Sequence, residues 1–142
     1  MADNHLQLVD VGDNDIFVHT GGEQRVPWDV RRAKIDESID TISRRAFMRC
    51  EQLTEVKGHN KLMKIEEDAF MRCRRLRRLT KMNGLIEIEQ WAFGGCNDLS
   101  DVDFDKLEII GSYAFGNCNS LRSINMTSVR RVGEYAFQYC KA

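Results

Sequence analysis

Along the chain, apolar residues return in two interleaved series. Leu53-x-x-Val56, Leu76-x-x-Leu79, Leu99-x-x-Val102 and Leu121-x-x-Ile124 form the first. Leu62-x-x-Ile65, Leu85-x-x-Ile88, Leu107-x-x-Ile110 and Val129-x-x-Val132 form the second, in phase with it. Between them recurs Ala-Phe-x-x-Cys, in "SRRAFMRC", "EEDAFMRC", "EQWAFGGC", "GSYAFGNC" and "GEYAFQYC", with Cys50, Cys73, Cys96, Cys118 and Cys140 spaced 23, 23, 22 and 22 residues apart. A unit of this length cannot bury its apolar face alone, but stacked units bury a continuous core. A degenerate unit with Ala33, Ile35, Ile39 and Ile42 precedes Ala46 and Phe47, which makes about five coils, the last incomplete.

The Leu-x-x-Val segments are short and partly β-branched, which predicts strands pairing from coil to coil in a parallel sheet at about 4.8 Å spacing. In the Ala-Phe-x-x-Cys segments, polar residues lead into an apolar pair and a cysteine three places on. That pattern predicts a short helical turn on the side opposite the sheet, with Phe over Phe and a small buried thiol in every coil. The expected fold is thus an α/β solenoid over residues 29–142. Residues 1–28 are expected to form an N-terminal tail and a capping hairpin, with "IFVH" and "QRVP" as its arms around Thr20-Gly21-Gly22-Glu23.

These residues resemble the BspA-like class of leucine-rich repeats, whose unit reads roughly Ile-Gly-x-x-Ala-Phe-x-x-Cys-x-x-Leu-x-x-Val-x-Leu-Pro. Gly111 and Gly133 match the glycine of that unit, whereas Glu66 and Glu89 replace it. The Leu-Pro pair is absent; Gly58, Lys81, Phe104 and Met126 stand at the leucine place, and Lys81 there is expected to run its stem past the core edge. The resemblance implies a leucine-rich-repeat solenoid and a protein-binding module.

Composition narrows the function further. The 142 residues carry 21 basic and 22 acidic side chains, a formal net charge of -1, so bulk charge favours neither nucleic acid nor an anionic membrane. No stretch approaches the roughly 20 apolar residues of a membrane span, and the start has neither the basic flank nor the apolar run of a secretory signal. An intracellular, cytoplasmic address is expected, and a surface address only if a signal has been removed. The cysteines fall one per coil and not in the Cys-x-x-Cys pairs of metal sites, which predicts reduced, buried thiols. His5, His19 and His59 have no nucleophile motif beside them, so no catalytic residue and no cofactor is expected. "DVDFD" opens like a calcium loop, but Lys106 replaces its turn glycine and Ser112 its bidentate glutamate, so no metal site is expected there.

Strand alternation sorts the outward residues of the sheet, taken as the concave face. The first column reads Arg32, Glu55, Arg78, Asp101, Ser123; the second Lys34, Lys57, Thr80, Asp103, Asn125; the third Asp36, His59, Met82, Asp105, Thr127. The first alternates in sign and is expected to neutralise itself; the second runs from basic to acidic, a dipolar strip for a partner to read. The expected partner surface comprises Lys34, Lys57, Thr80, Asp101, Asp103, Asp105 and Asn125. Coils at about 4.8 Å and strands of about four residues give a strip of roughly 300 Å². That is short of the roughly 800 Å² per partner of a standard interface, which favours a peptide or a second copy of the chain. Self-association is expected at the C-terminal end, through Phe137, Tyr139 and Ile124 beside an unpaired strand at 121–126. The alternative function is phosphate or nucleic-acid binding by Arg72, Arg74, Arg75, Arg77 and Arg78, a run that otherwise pairs with Glu51, Glu55 or Asp98 and has no aromatic residue interleaved.

Overall fold

A computed structural model describes residues 8–9, 16–22 and 24–141; His5 and Glu23, both singled out in the sequence, lie outside them. The strands in chain order are β1 (Leu8–Val9), β2 (Ile16–His19), β3 (Arg32–Ile35), β4 (Thr41–Ile42), β5 (Glu55–Lys57), β6 (Lys64–Ile65), β7 (Arg78–Thr80), β8 (Glu87–Ile88), β9 (Ile109–Ile110) and β10 (Arg131–Val132). They form two sheets, β1-β2-β3-β5-β7 and β10-β9-β8-β6-β4, parallel throughout except for β1 against β2. The first apolar series supplies the first sheet. The second series supplies the second: Ile42, Ile65, Ile88 and Ile110 are buried in register beneath it.

The expected helical turns are corrected. Among the described residues there is no helix, and each Ala-Phe-x-x-Cys segment is a run of turns. In every coil the residue before Ala and the residue before Cys are left-handed: Arg45 and Arg49 at φ 61° and 63°, Asp68 and Arg72 at 60° and 63°, Trp91 and Gly95 at 60° and 77°. Two such residues four places apart prevent an α-helix, at a cost of about 1–2 kcal/mol for each non-glycine. Cross-coil hydrogen bonds offset that cost. The Phe47 N–H donates to the Ala69 carbonyl at 2.7 Å and the Arg49 N–H to Met71 at 2.7 Å, and the same pair recurs from Phe70 and Arg72 to Ala92 and Gly94. The turns therefore stack as a third ladder, beside the two sheets.

Phe47, Phe70, Phe93, Phe115 and Phe137 stack along the interior with ring centroids 5.0, 5.2, 5.4 and 5.4 Å apart and nearly parallel planes. Four of the five thiols donate to the phenylalanine carbonyl of the preceding coil, Cys73 to Phe47 at 3.1 Å, Cys96 to Phe70 at 3.2 Å, Cys118 to Phe93 at 3.1 Å and Cys140 to Phe115 at 3.1 Å, while Cys50 faces the Pro27 carbonyl at 4.0 Å. The same carbonyl already accepts the N–H of its own coil's cysteine, as Phe70 does from Cys73 at 3.1 Å. The motif thus pairs an aromatic rung with a small donor for that rung's second lone pair.

The expected N-terminal hairpin is also corrected. β2 runs parallel to β3, residues 24–27 form no strand, and the antiparallel neighbour of β2 is β1. Gly21 and Gly22, at φ 87° and 63°, turn the chain away from the sheet edge. Gln24 then holds the loop, accepting the Thr20 N–H at 2.8 Å and donating to the Val18 carbonyl at 3.3 Å. At the other end, 121–126 is no strand; the first sheet closes on an isolated Arg78–Asp101 bridge, and Ser100, Asp101, Ser123 and Asn125 are poor strand formers. Lys81 is exposed at φ 55°, and this left-handed residue rotates the next one inward, so that Met82 fills the leucine place.

His19 heads the aromatic stack, its ring edge-on to Phe47 at 5.0 Å. Nδ1 lies 3.1 Å from the Gln24 side-chain amide oxygen, so it carries the proton, and buried Nε2 has no partner among the described residues. Burial lowers the pKa of His19, against a smaller upward pull from Gln24. The unfolded chain therefore takes up a proton that the fold resists, and stability falls as pH drops below the unfolded value of about 6.5. Melting midpoints measured from pH 7.5 to 5 should decline in wild type and decline less in His19→Phe; equal slopes would remove His19 as the cause.

Coils approach closely at Gly111, where a Cβ would lie 2.6 Å from the Gln90 nitrogen and 2.7 Å from the Glu89 carbonyl carbon. At the equivalent places Glu66 and Glu89 use the space differently, accepting the N–H of Arg44 and of Glu67 at 3.1 Å each. Gly111→Ala should therefore cost about 1–3 kcal/mol, read as a lower denaturant midpoint. A change below the error of the measurement would mean that the coils can shift apart.

Candidate functional site

The register of the first sheet sets its outward columns. Arg32, Glu55 and Arg78 are Cα partners in series and Asp101 continues them by its bridge to Arg78; Lys34, Lys57 and Thr80 form the next column. In the first column, Arg78 and Asp101 approach at 3.9 Å, and this is its ion pair among the described residues. In the second, Lys34 and Lys57 lie side by side on adjacent strands, both exposed, with no carboxylate at ion-pair distance among the described residues.

Ion pairs also occur on the other faces. On the second sheet Lys64 sits 3.0 Å from Glu89 and 3.9 Å from Glu87, and the Glu89 contact raises its pKa. Arg130 meets Glu108 at 3.8 Å, and on the turn face Arg44 and Arg45 meet Glu67 and Asp68 at 3.7 and 3.6 Å.

Lys34, Lys57 and Lys81 line an open groove of about 460 Å³, with Glu37, Asn60, Asn83 and Asp103 also on its walls. The repeat places Lys81 at an inward position with its stem running past the core edge; the residue is exposed instead, at φ 55°, a conformation that no sequence pattern announces at a lysine. Asp103 and Asp105 are exposed on either side of buried Phe104. Asp101, Asp103 and Asp105 gather no metal site: among the described residues no three His, Cys, Asp or Glu side chains are placed to hold an ion.

The third column is corrected. His59 and Met82 are buried, while Asp36 is half-buried and Asp105 and Thr127 are exposed. The strands have ended by this point, and alternation ends with them. His59 is locked: its Nε2 donates to the Asp36 carbonyl at 3.0 Å and its Nδ1 accepts the Lys61 N–H at 3.1 Å. The Asp36 carboxyl is held low by hydrogen bonds from the Ser38 hydroxyl and N–H. Thr80 is half-buried beside Lys57, and Asn125 lies outside the groove, accepting the Thr127 N–H at 2.8 Å.

Of the C-terminal residues, Tyr139 is 62% exposed, whereas Phe137 and Ile124 pack partly against the core. The arginine run is exposed from Arg72 to Arg78. Its contacts differ from those expected: Arg75 donates to Gln52 at 3.2 Å and Arg78 pairs with Asp101, in place of Glu51, Glu55 and Asp98. Arg72 and Arg74 share a depression of about 370 Å³ with Trp91, an aromatic neighbour supplied by the next coil and invisible in the linear run. Trp91 is itself stacked on Tyr113 at 4.4 Å, and Tyr113 on Tyr135 at 5.2 Å.

A family model described as the BspA type leucine-rich repeat region matches residues 29–142 in six copies, one more than the coils counted from the sequence. A leucine-rich repeat protein of T. pallidum is similar in structure at a TM-score of 0.75 and 28% identity, covering 94% of this chain and 64% of that one. A leucine-rich cell surface protein of Faecalibacterium prausnitzii gives 0.73 and 29%, covering 82% and 32%; a leucine-rich repeat protein of Bacteroides ovatus gives 0.64 and 28%, covering 72% and 27%. The chain thus spans less than two thirds of the length of each. Among curated proteins, none matches.

Proposed function

The chain belongs to the BspA-type leucine-rich repeat family, and from that premise we propose that it is a non-catalytic interaction module that binds a peptide or protein on the outward, concave face of its first sheet. Repeats of this family usually mediate protein interactions. The observation that carries the finer reading is the placement of Lys34 and Lys57 side by side on adjacent strands, both exposed and without a carboxylate at ion-pair distance among the described residues. Exposed lysines left without partners contribute little to folding, so they are free to serve recognition.

Asp103→Lys tests this reading. It should leave the melting midpoint within the range of about ±0.5 kcal/mol typical of surface changes while altering capture of partners from the source cell. Loss of folding, or capture identical to wild type, would count against the concave face. The second reading is phosphate or nucleic-acid binding at Arg72–Arg78, favoured by the placement of Arg72 and Arg74 beside Trp91. It demands an affinity that falls linearly in log-log form with salt. For the partner we also propose a second copy of the chain, meeting at Phe137, Tyr139 and Ile124; Met126, Val132, Tyr135 and Tyr139 are exposed apolar side chains of the same end. Light scattering of Phe137→Asp/Tyr139→Asp against wild type reads that contact.

A further inference from the structure

We propose that the ligand of this face is a charge-polarised extended peptide, acidic where it meets Lys34, Lys57 and Lys81 and basic where it meets Asp103 and Asp105, an inference that rests on the peptide-binding reading above. The groove supplies the first half. Three lysines from three successive coils line one space of about 460 Å³, outnumbering Glu37, which lines it too, and none of the three has an ion-pair partner among the described residues. Asn60 and Asn83 add amide donors there. The second half lies at the far rim: Asp103 closes the groove beside Lys81 and also borders the next depression, and Asp105 follows it on the exposed side of buried Phe104.

The two halves are fixed in distance by the stack. Lys34 and Lys57 occupy adjacent strands, Thr80 the next, and Asp103 the coil after that. At about 4.8 Å per coil, Asp103 stands roughly 10 Å from Lys57 and 14 Å from Lys34. A peptide crossing the strands advances about 3.3 Å per residue, so its acidic and basic side chains must be about three to four residues apart. A uniformly acidic peptide meets Asp103 and a uniformly basic one meets the lysines; each juxtaposes like charges, and this selects the polarised ligand.

The test is selection of a random dodecapeptide library on the intact protein, followed by binding of a synthetic peptide bearing the selected pattern. Selected sequences should carry Asp or Glu about three to four residues from Lys or Arg. The synthetic peptide should bind Lys57→Glu and Asp103→Lys about tenfold more weakly, Lys57→Gln with a smaller loss, and Arg74→Glu as it binds wild type. Melting midpoints of the variants, all at exposed sites, check that each is folded. Selected peptides without paired charges, or with affinities indifferent to Lys57 and Asp103, would overturn the polarity and leave the concave-face reading standing. Selection of peptides that respond to no outward residue of the first sheet would overturn both.

Discussion

Replacing Phe93 with alanine is expected to destabilise the protein by about 3–5 kcal/mol, a large part of the roughly 5–15 kcal/mol that holds an ordinary domain folded. The ring is fully buried and stacked on both faces, against Phe70 at 5.2 Å and Phe115 at 5.4 Å. Its loss leaves a cavity between rungs that cannot close, because the backbone on either side is pinned from coil to coil: the Phe93 N–H donates to Ala114 at 2.8 Å and the Phe70 N–H to Ala92 at 2.8 Å. The half-buried ring of Phe137, which stacks on one ring among the described residues, sets the comparison; Phe137→Ala should cost clearly less. Equilibrium denaturation of the two variants reads the difference. Equal and small losses would mean that the rings are spectators of a fold held by its backbone ladders.

The spacing of Ala-Phe-x-x-Cys made the stack, its period and its buried residues legible, because those depend on which side chain faces inward once per coil. Conformation within the coil was less legible. An Ala-Phe pair behind polar residues has the composition of a helical turn, and nothing in Arg45 or Trp91 marks a left-handed residue; only hydrogen bonds to the neighbouring coil make that conformation worth its cost. The same effect moved Lys81 from core to groove and Met82 from surface to core. Site residues on regular strands, Lys34 and Lys57, were readable by alternation, whereas His59 lies one turn beyond the strand end and was not. "QRVP" read as a strand because alternation is a local signal, whereas the partner that β2 takes is set by the stack.

Thiol chemistry should report the same stack from the inside. Burial raises the pKa of Cys50 to about 12 and pushes Cys73, Cys96 and Cys118 well above the ordinary thiol range; the shift at half-buried Cys140 has the same cause. The reactive thiolate is therefore scarce at neutral pH, and each of the three inner sulfurs is also held by a phenylalanine carbonyl within 3.1 to 3.2 Å. Labelling of Cys73, Cys96 and Cys118 must then pass through opening of the coils above and below. For opening that costs as much as global unfolding, protection reaches at least about 10³-fold relative to the denatured chain. Cys140, in the outermost described coil, needs only local fraying and should react first. Site-resolved mass spectrometry of a timed alkylation is expected to give Cys140 early, the inner three late, and all five at once in denaturant. Rapid native labelling at Cys96, packed between coils on both sides, would contradict a continuous solenoid core more directly than any stability measurement.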